Sequence, residues 1–251
     1  SLEEHFSDKE DSKRHLAKLL DVTRSDMLFA DKIILVEGIA EKLLLPLFME
    51  KCDFSYEDYH ISIVEIGGKH FEHFIELFNG NAVTKKVLCI TDCDFPWVEE
   101  NILKSISEYT HRGDATHIKK LKEKFTLDNF HLVSQSLGGQ TFEDELFLEN
   151  VDNVEVTKSL LKIVLPDCMQ EFLNTHNLCF DQWATNLDKI SNAKTKKKVS
   201  EMISIFQEKI SIDAKCTSKY HHLFFAQLFL SYAKSKKGDV ALSILTSEEI
   251  V

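Results

Sequence analysis

The feature that most constrains this 251-residue chain is a rhythm of short apolar runs, each closed by a turn and followed by an amphipathic stretch. Residues 32–36 (KIILV), 59–66 (YHISIVEI), 87–91 (VLCIT) and 130–134 (FHLVS) read as strands. Short β-branched and apolar runs bounded by turn signals suit strands buried on both faces. Helices are expected from about residue 39 to 51, over 71–78, from about 97 to 109, and from near Thr141. Strands and helices alternating at this spacing form βαβ units, so the expected fold class is α/β, with a mainly parallel sheet and helices on both faces. After residue 150 only Pro166 and Gly238 interrupt the chain, which predicts a largely helical second part.

In parallel sheets the chemistry collects beyond the carboxyl ends of the strands. That rule singles out Glu37, Gly67-Gly68-Lys69, Asp92 with Asp94, and the turn over residues 136–143. Glu37 ends a strand, Gly38 permits a tight turn, and Glu41 falls in the first turn of the next helix. Acids are also favoured at helix N-termini for electrostatic reasons alone, which is the plainer reading of Glu41. Asp92 and Asp94 flank Cys93 at the end of a strongly apolar strand. Residues i and i+2 of an extended segment point the same way, so this pair can meet a divalent cation. Glu143 lies in TFEDEL after a Gly138-Gly139 turn, where Thr141 is a plausible N-cap and Glu145 is expected to be solvated. Lys236-Lys237-Gly238 reads, by itself, as a solvated helix boundary.

Composition sets the limits of these readings. The net charge is −11, and the excess is all in front: residues 1–150 carry 29 acids against 17 bases, residues 151–251 carry 12 against 13. Such a chain does not coat nucleic acid non-specifically, since each phosphate contact needs a cation. It can still bring metal ions to phosphate. No apolar run is long enough to span a bilayer, and the six cysteines form no CxxC pair, so a soluble, cytoplasmic, reduced protein is expected, its thiols mostly small core residues. His221-His222, Trp97 and Trp183 read as core or core-edge residues. The lysine-rich stretches 118–124 and 194–198 read as solvated faces, and beside a site acting on phosphate they are the best candidates for phosphate contacts.

The order VEG-xx-E, a Gly-Gly turn, T-D-x-D-F, T-F-E-x-E-L and K-K-G-x-x-A resembles the Toprim domain of OLD-family (overcoming lysogenization defect) nucleases. The lead-in over residues 21–38 is similar to the segment that joins that domain to its ATPase. The resemblance covers about residues 20–150 and 230–250; between 155 and 230 it extends only to helical character. It implies a Toprim fold, a Rossmann-like parallel sheet with an additional helical subdomain. The expected boundaries are 1–30 for a helical lead-in, 31–150 for the catalytic core, 151–231 for the helical subdomain and 232–251 for a segment returning to the core.

The resemblance further implies a metal-dependent DNA endonuclease or nickase that hydrolyses phosphodiester bonds with two Mg²⁺ or Mn²⁺ ions. Glu37, Glu41, Asp92, Asp94 and Glu143 would be the metal ligands, directly or through water, and Lys237 would meet charge developing on the scissile phosphate. All six count as catalytic. Expected partners are DNA, an upstream ABC-type ATPase domain and a helicase-like protein, with no membrane. No G-x-x-x-x-G-K-[ST] occurs in the sequence, so the nuclease part alone is represented. Phage defence follows only from the family. Two other readings stay open: another Toprim activity of primase or topoisomerase type, and an inactive Toprim domain that binds a partner.

Overall fold

A computed structural model describes residues 25–67, 71–79, 83–136, 138–247 and 250. Most of the lead-in, together with Gly68 and Lys69, lies outside these residues. In chain order the elements are β1 (Lys32–Val36), α1 (Ile39–Lys51), β2 (Ile61–Glu65), α2 (Phe71–Glu76), β3 (Lys86–Ile90), β4 (Val98–Glu99), β5 (Ile102–Leu103), α3 (Ile106–Thr110), α4 (Thr116–Lys124) and β6 (Phe130–Val133). The helices α5 (Phe142–Glu149), α6 (Val154–Val164), α7 (Asp167–His176), α8 (Phe180–Thr185), α9 (Ala193–Ile212), α10 (Thr217–Ala233) and α11 (Lys237–Leu245) follow. No helix among the described residues is long and apolar enough to cross a membrane.

The chain forms two compact units. The first comprises the described residues up to Cys93 together with residues 114–134; the second comprises 94–113 and 135 onward. This partition cuts the chain differently from the boundaries read in the sequence. Residues 94–113 and α5, expected within the core, group with the helical part, where α5 packs on α10.

The first unit is built on one parallel sheet in the order β2-β1-β3-β6. The α/β class and the four strands are therefore as the apolar runs predict. Ile33 and Leu35 of β1 and Val87 and Cys89 of β3 project to one face, where Phe71, Phe74, Ile75, Leu121 and Phe125 cover them in a single buried cluster. Alternation sends Ile34 and Val36 to the other face, and α1, which contacts β1 and β2, brings the buried Ala40 and Leu44. Each large apolar side chain removed from water in this way contributes about 2–3 kcal/mol.

One local expectation fails. Residues 97–109 do not form one helix but a β4–β5 hairpin followed by the short α3. Glu100 and Asn101 take φ of 50° and 63°, as a two-residue hairpin turn requires, and Asn tolerates that region well. The apolar residues at 97, 98, 102, 103 and 106 mimic a helical period, which is why the sequence misleads here. Residues 118–124, read as a solvated face, lie in the helix α4, which exposes Lys119, Lys120, Lys122 and Lys124 and buries Ile118 and Leu121. Cysteine burial is also less general than expected: Cys89 and Cys93 are buried, whereas Cys52 and Cys179 are exposed.

Candidate functional site

In the first unit the register of the sheet assembles the first group of carboxylates. Val36 pairs with Ile90, so the next residues, Glu37 and Thr91, emerge side by side from the carboxyl ends of β1 and β3. Glu37 Oε2 accepts hydrogen bonds from Thr91 Oγ1 and from the Asp92 backbone N–H, both at 3.2 Å. Asp92 itself is buried, and its backbone carbonyl meets His117 Nε2 of α4 at 3.0 Å. Glu41 is only 2% exposed, in the first turn of α1. The extended N-cap Gly38 leaves room for it: a Cβ at that position would stand 3.1 Å from Glu41 Oε2. Gly67 has a φ of +76°, the left-handed conformation for which glycine is suited.

In the second unit Glu143 pairs with Lys237, and the Asp94 backbone is tied to the turn that leads into α5. Asp94 has a φ of 52°, and its N–H donates to the Gln140 carbonyl at 3.0 Å. Glu143 is 3% exposed at the start of α5. Its Oε2 accepts from Thr141 Oγ1 at 2.8 Å and faces Lys237 Nζ at 2.9 Å. Its Oε1 is buried and, among the described residues, meets no hydrogen-bond donor. The structure thereby separates the two adjacent lysines: the Lys236 ammonium donates to the Val164 carbonyl at 3.2 Å, while Lys237 pairs with Glu143.

Asp144, which sequence reasoning passed over, is more deeply buried than Glu143, at 0% exposure. It accepts from the N–H groups of Gln140 and Thr141 and from Gln227 Nε2 of α10. Burial pushes its carboxyl up to about 6, although these hydrogen bonds pull the other way. The only hint in the sequence is the Thr-x-x-Asp spacing of a capping box. Glu145 is also not the solvated side chain expected: its carboxylate accepts from the N–H groups of Ser136 and Gly139 at 2.7 and 2.6 Å. Trp97 stacks on Tyr109, and their polar atoms donate to the carbonyls of Gly138 and Gly139, so both rings are structural supports for the Gly-Gly turn.

Among the described residues no group of three or more His, Cys, Asp or Glu side chains is gathered as a ready metal site. The donor chemistry nevertheless suits hard cations, which prefer carboxylate oxygen, and a buried oxygen such as Glu143 Oε1 has lone pairs to offer. The lysine clusters are more engaged than expected. Lys124 pairs with Glu72 and Glu76, Lys196 with Asp188, and Lys198 donates to the Ser231 carbonyl while lying over the Tyr232 ring. His221 stacks on Phe180, the core-edge position expected of it.

Residues 28–94 match the family described as overcoming lysogenization defect protein-like, TOPRIM domain. One relative, the endonuclease GajA of Bacillus cereus strain HuB5-5, is 26% identical over 186 residues, covering 66% of this chain and 26% of the relative. GajA of strain VD045 is 29% identical over 80 residues, covering 32% of this chain and 14% of that protein. The chain thus spans about a quarter or less of the curated relatives it matches. Among solved structures, the C-terminal region of the Xanthomonas campestris pv. campestris OLD protein aligns over 90% of this chain and 88% of its own, at 19% identity and a TM-score of 0.45. That of Burkholderia pseudomallei OLD aligns over 87% and 100%, at 17% identity and a TM-score of 0.42. Residues 28–94, which run from the turn before β1 to the Asp92–Asp94 segment, are thus similar to an OLD-like TOPRIM domain.

Proposed function

We propose that this chain is the nuclease part of an OLD-type enzyme, hydrolysing DNA phosphodiester bonds with Mg²⁺ or Mn²⁺. The observation that carries the reading is the placement of Glu37 and Asp92, hydrogen-bonded to each other at the carboxyl ends of adjacent parallel strands inside the TOPRIM match. Glu37, Glu41, Asp92, Asp94 and Glu143 would hold two divalent ions. Bound there, the ions would lower the pKa of an attacking water and neutralise phosphate charge.

The protein's own contribution is positioning. Thr91 and the Asp92 amide orient Glu37, and the sheet register fixes where that carboxylate emerges. Burial of Glu41, Asp92 and Glu143 keeps water from screening their attraction for a cation. Lys237 brings a positive charge to a partly buried position, suited to the extra negative charge of a pentavalent phosphorane. An ATPase domain upstream and a helicase-like protein are the partners this reading expects, with phage defence as the biological role.

The test is cleavage of supercoiled plasmid by the 251-residue chain with Mg²⁺, Mn²⁺ or Ca²⁺. Nicked or linear product with Mg²⁺ or Mn²⁺, absent with a chelator, is expected. Equal cutting in chelator would refute the reading.

A further inference from the structure

We infer that Lys237 is a built-in competitor for the cation at Glu143. Divalent metal and the Lys237 ammonium contend for the same carboxylate, so metal loading releases the lysine toward phosphate. The inference rests on the proposed reading of Glu143 as a metal ligand and concerns how that ligand is regulated.

Glu143 carries two unlike oxygens. Oε2 is saturated by a hydroxyl and an ammonium, at 2.8 and 2.9 Å, while the buried Oε1 has no hydrogen-bond donor among the described residues. A buried carboxylate oxygen left in that state costs free energy that a ligand could recover. The other oxygen is held by a charge that would repel the same ligand. With Glu143 at 3% exposure, the repulsion between a divalent ion and Nζ is poorly screened. Lys237 can respond: it is 31% exposed on its side chain and sits at the first position of α11, where a long flexible stem can swing without breaking helical hydrogen bonds. Lys236 cannot substitute, because its ammonium is on the Val164 carbonyl.

A consequence follows for the order of events. An ion that binds Glu143 both supplies its own charge and displaces a second one, so phosphate meets the lysine after the metal is in place. Removing the lysine therefore acts in opposite directions on two measurements. Metal binding improves, because the competitor is gone, and cleavage falls, because the phosphate loses its cation.

The experiment is Mn²⁺ titration of the intact chain without DNA, by calorimetry or by the loss of the free-ion EPR signal. Lys237→Met, and Lys237→Gln as a second neutral variant, should bind Mn²⁺ about tenfold more tightly than wild type. Lys237→Arg and Lys236→Met should bind as wild type does. Glu143→Gln should weaken binding, and adding Lys237→Met to it should bring no gain, the signature of coupling between the two residues. Plasmid cleavage by Lys237→Met should fall about a hundredfold despite tighter metal. If Glu143→Gln weakens Mn²⁺ binding while neither neutral lysine variant tightens it, the competition is overturned and Glu143 remains a ligand. If Glu143→Gln leaves Mn²⁺ binding unchanged, the competition and the ligand reading fall together.

Discussion

Glu37 and Asp92 are separated by 55 positions, yet the carboxylate of the first accepts the backbone N–H of the second at 3.2 Å. The contact is a product of register: once Val36 pairs with Ile90, the residues that follow must lie side by side. Thr91→Val removes the second donor to Glu37 without changing side-chain shape much. It should cost about 1 kcal/mol of stability and lower metal-dependent cleavage several-fold, about the effect of one lost hydrogen bond on a positioned ligand. Urea unfolding alongside cleavage rates checks it, and unchanged cleavage would mean that the Asp92 amide and the sheet register suffice to hold Glu37.

Asp144→Ala should destabilise the second unit far more, by about 3 kcal/mol or above. The backbone N–H groups of Gln140 and Thr141 and the Gln227 amide all lose their acceptor at a site with 0% exposure. Asp144→Asn, which keeps part of the acceptor capacity, should lose about half as much. Equal losses for the two would indicate that the charge matters and the hydrogen bonds do not.

How far the sequence foretells this arrangement differs between the two units. The central strands β1 and β3, α1 and the Glu37–Asp92 neighbourhood are legible because a central parallel strand is a nearly continuous apolar run, and its end is where polarity returns. The Asp144–Gln227 bond joins residues 83 apart through helix packing, and no local pattern encodes which face of α10 meets α5. The β4–β5 hairpin was hidden for a related reason. Its turn depends on left-handed backbone at Glu100 and Asn101, and glutamate carries no signal for that conformation. Glu145 looked solvated because helical spacing turns it away from Glu143, but the Gly138-Gly139 loop folds back onto it.

That loop gives a further prediction. A Cβ on Gly139 would fall 2.5 Å from Glu145 Cβ and 2.6 Å from the Glu145 backbone nitrogen, a contact that backbone cannot relieve by rotating a side chain. Gly139→Ala should therefore lower the thermal midpoint by several degrees, a loss of about 2 kcal/mol or more. Gly67→Ala, where nothing lies within 4 Å, should cost less, about 1 kcal/mol from its positive φ alone. Calorimetry of the two variants would show the order, and the reverse order would contradict the packing around Glu145.

Tyr220 of α10 supplies a separate pH signature. It is 0% exposed, donates to Asp213 Oδ2 at 3.0 Å, and burial with that partner pushes its hydroxyl up to about 12. A folded pKa above the unfolded value of about 10 means that this contribution to stability is whole below pH 10 and is lost as pH rises through about 12. In a tyrosinate absorbance titration of the native chain, a component ionising near 12 should be lost in Tyr220→Phe. Its persistence would place the late group elsewhere.

The central claim is that the carboxylates at the ends of β1 and β3 carry metal-dependent hydrolysis. Supercoiled-plasmid cleavage in Mg²⁺ or Mn²⁺, comparing wild type with Asp92→Ala and Lys237→Ala at equal folded concentration, tests it most directly. The account predicts cutting by wild type that is abolished by chelator and reduced about a hundredfold or more by either substitution. Cutting that persists without metal, or that Asp92→Ala leaves intact, would contradict it.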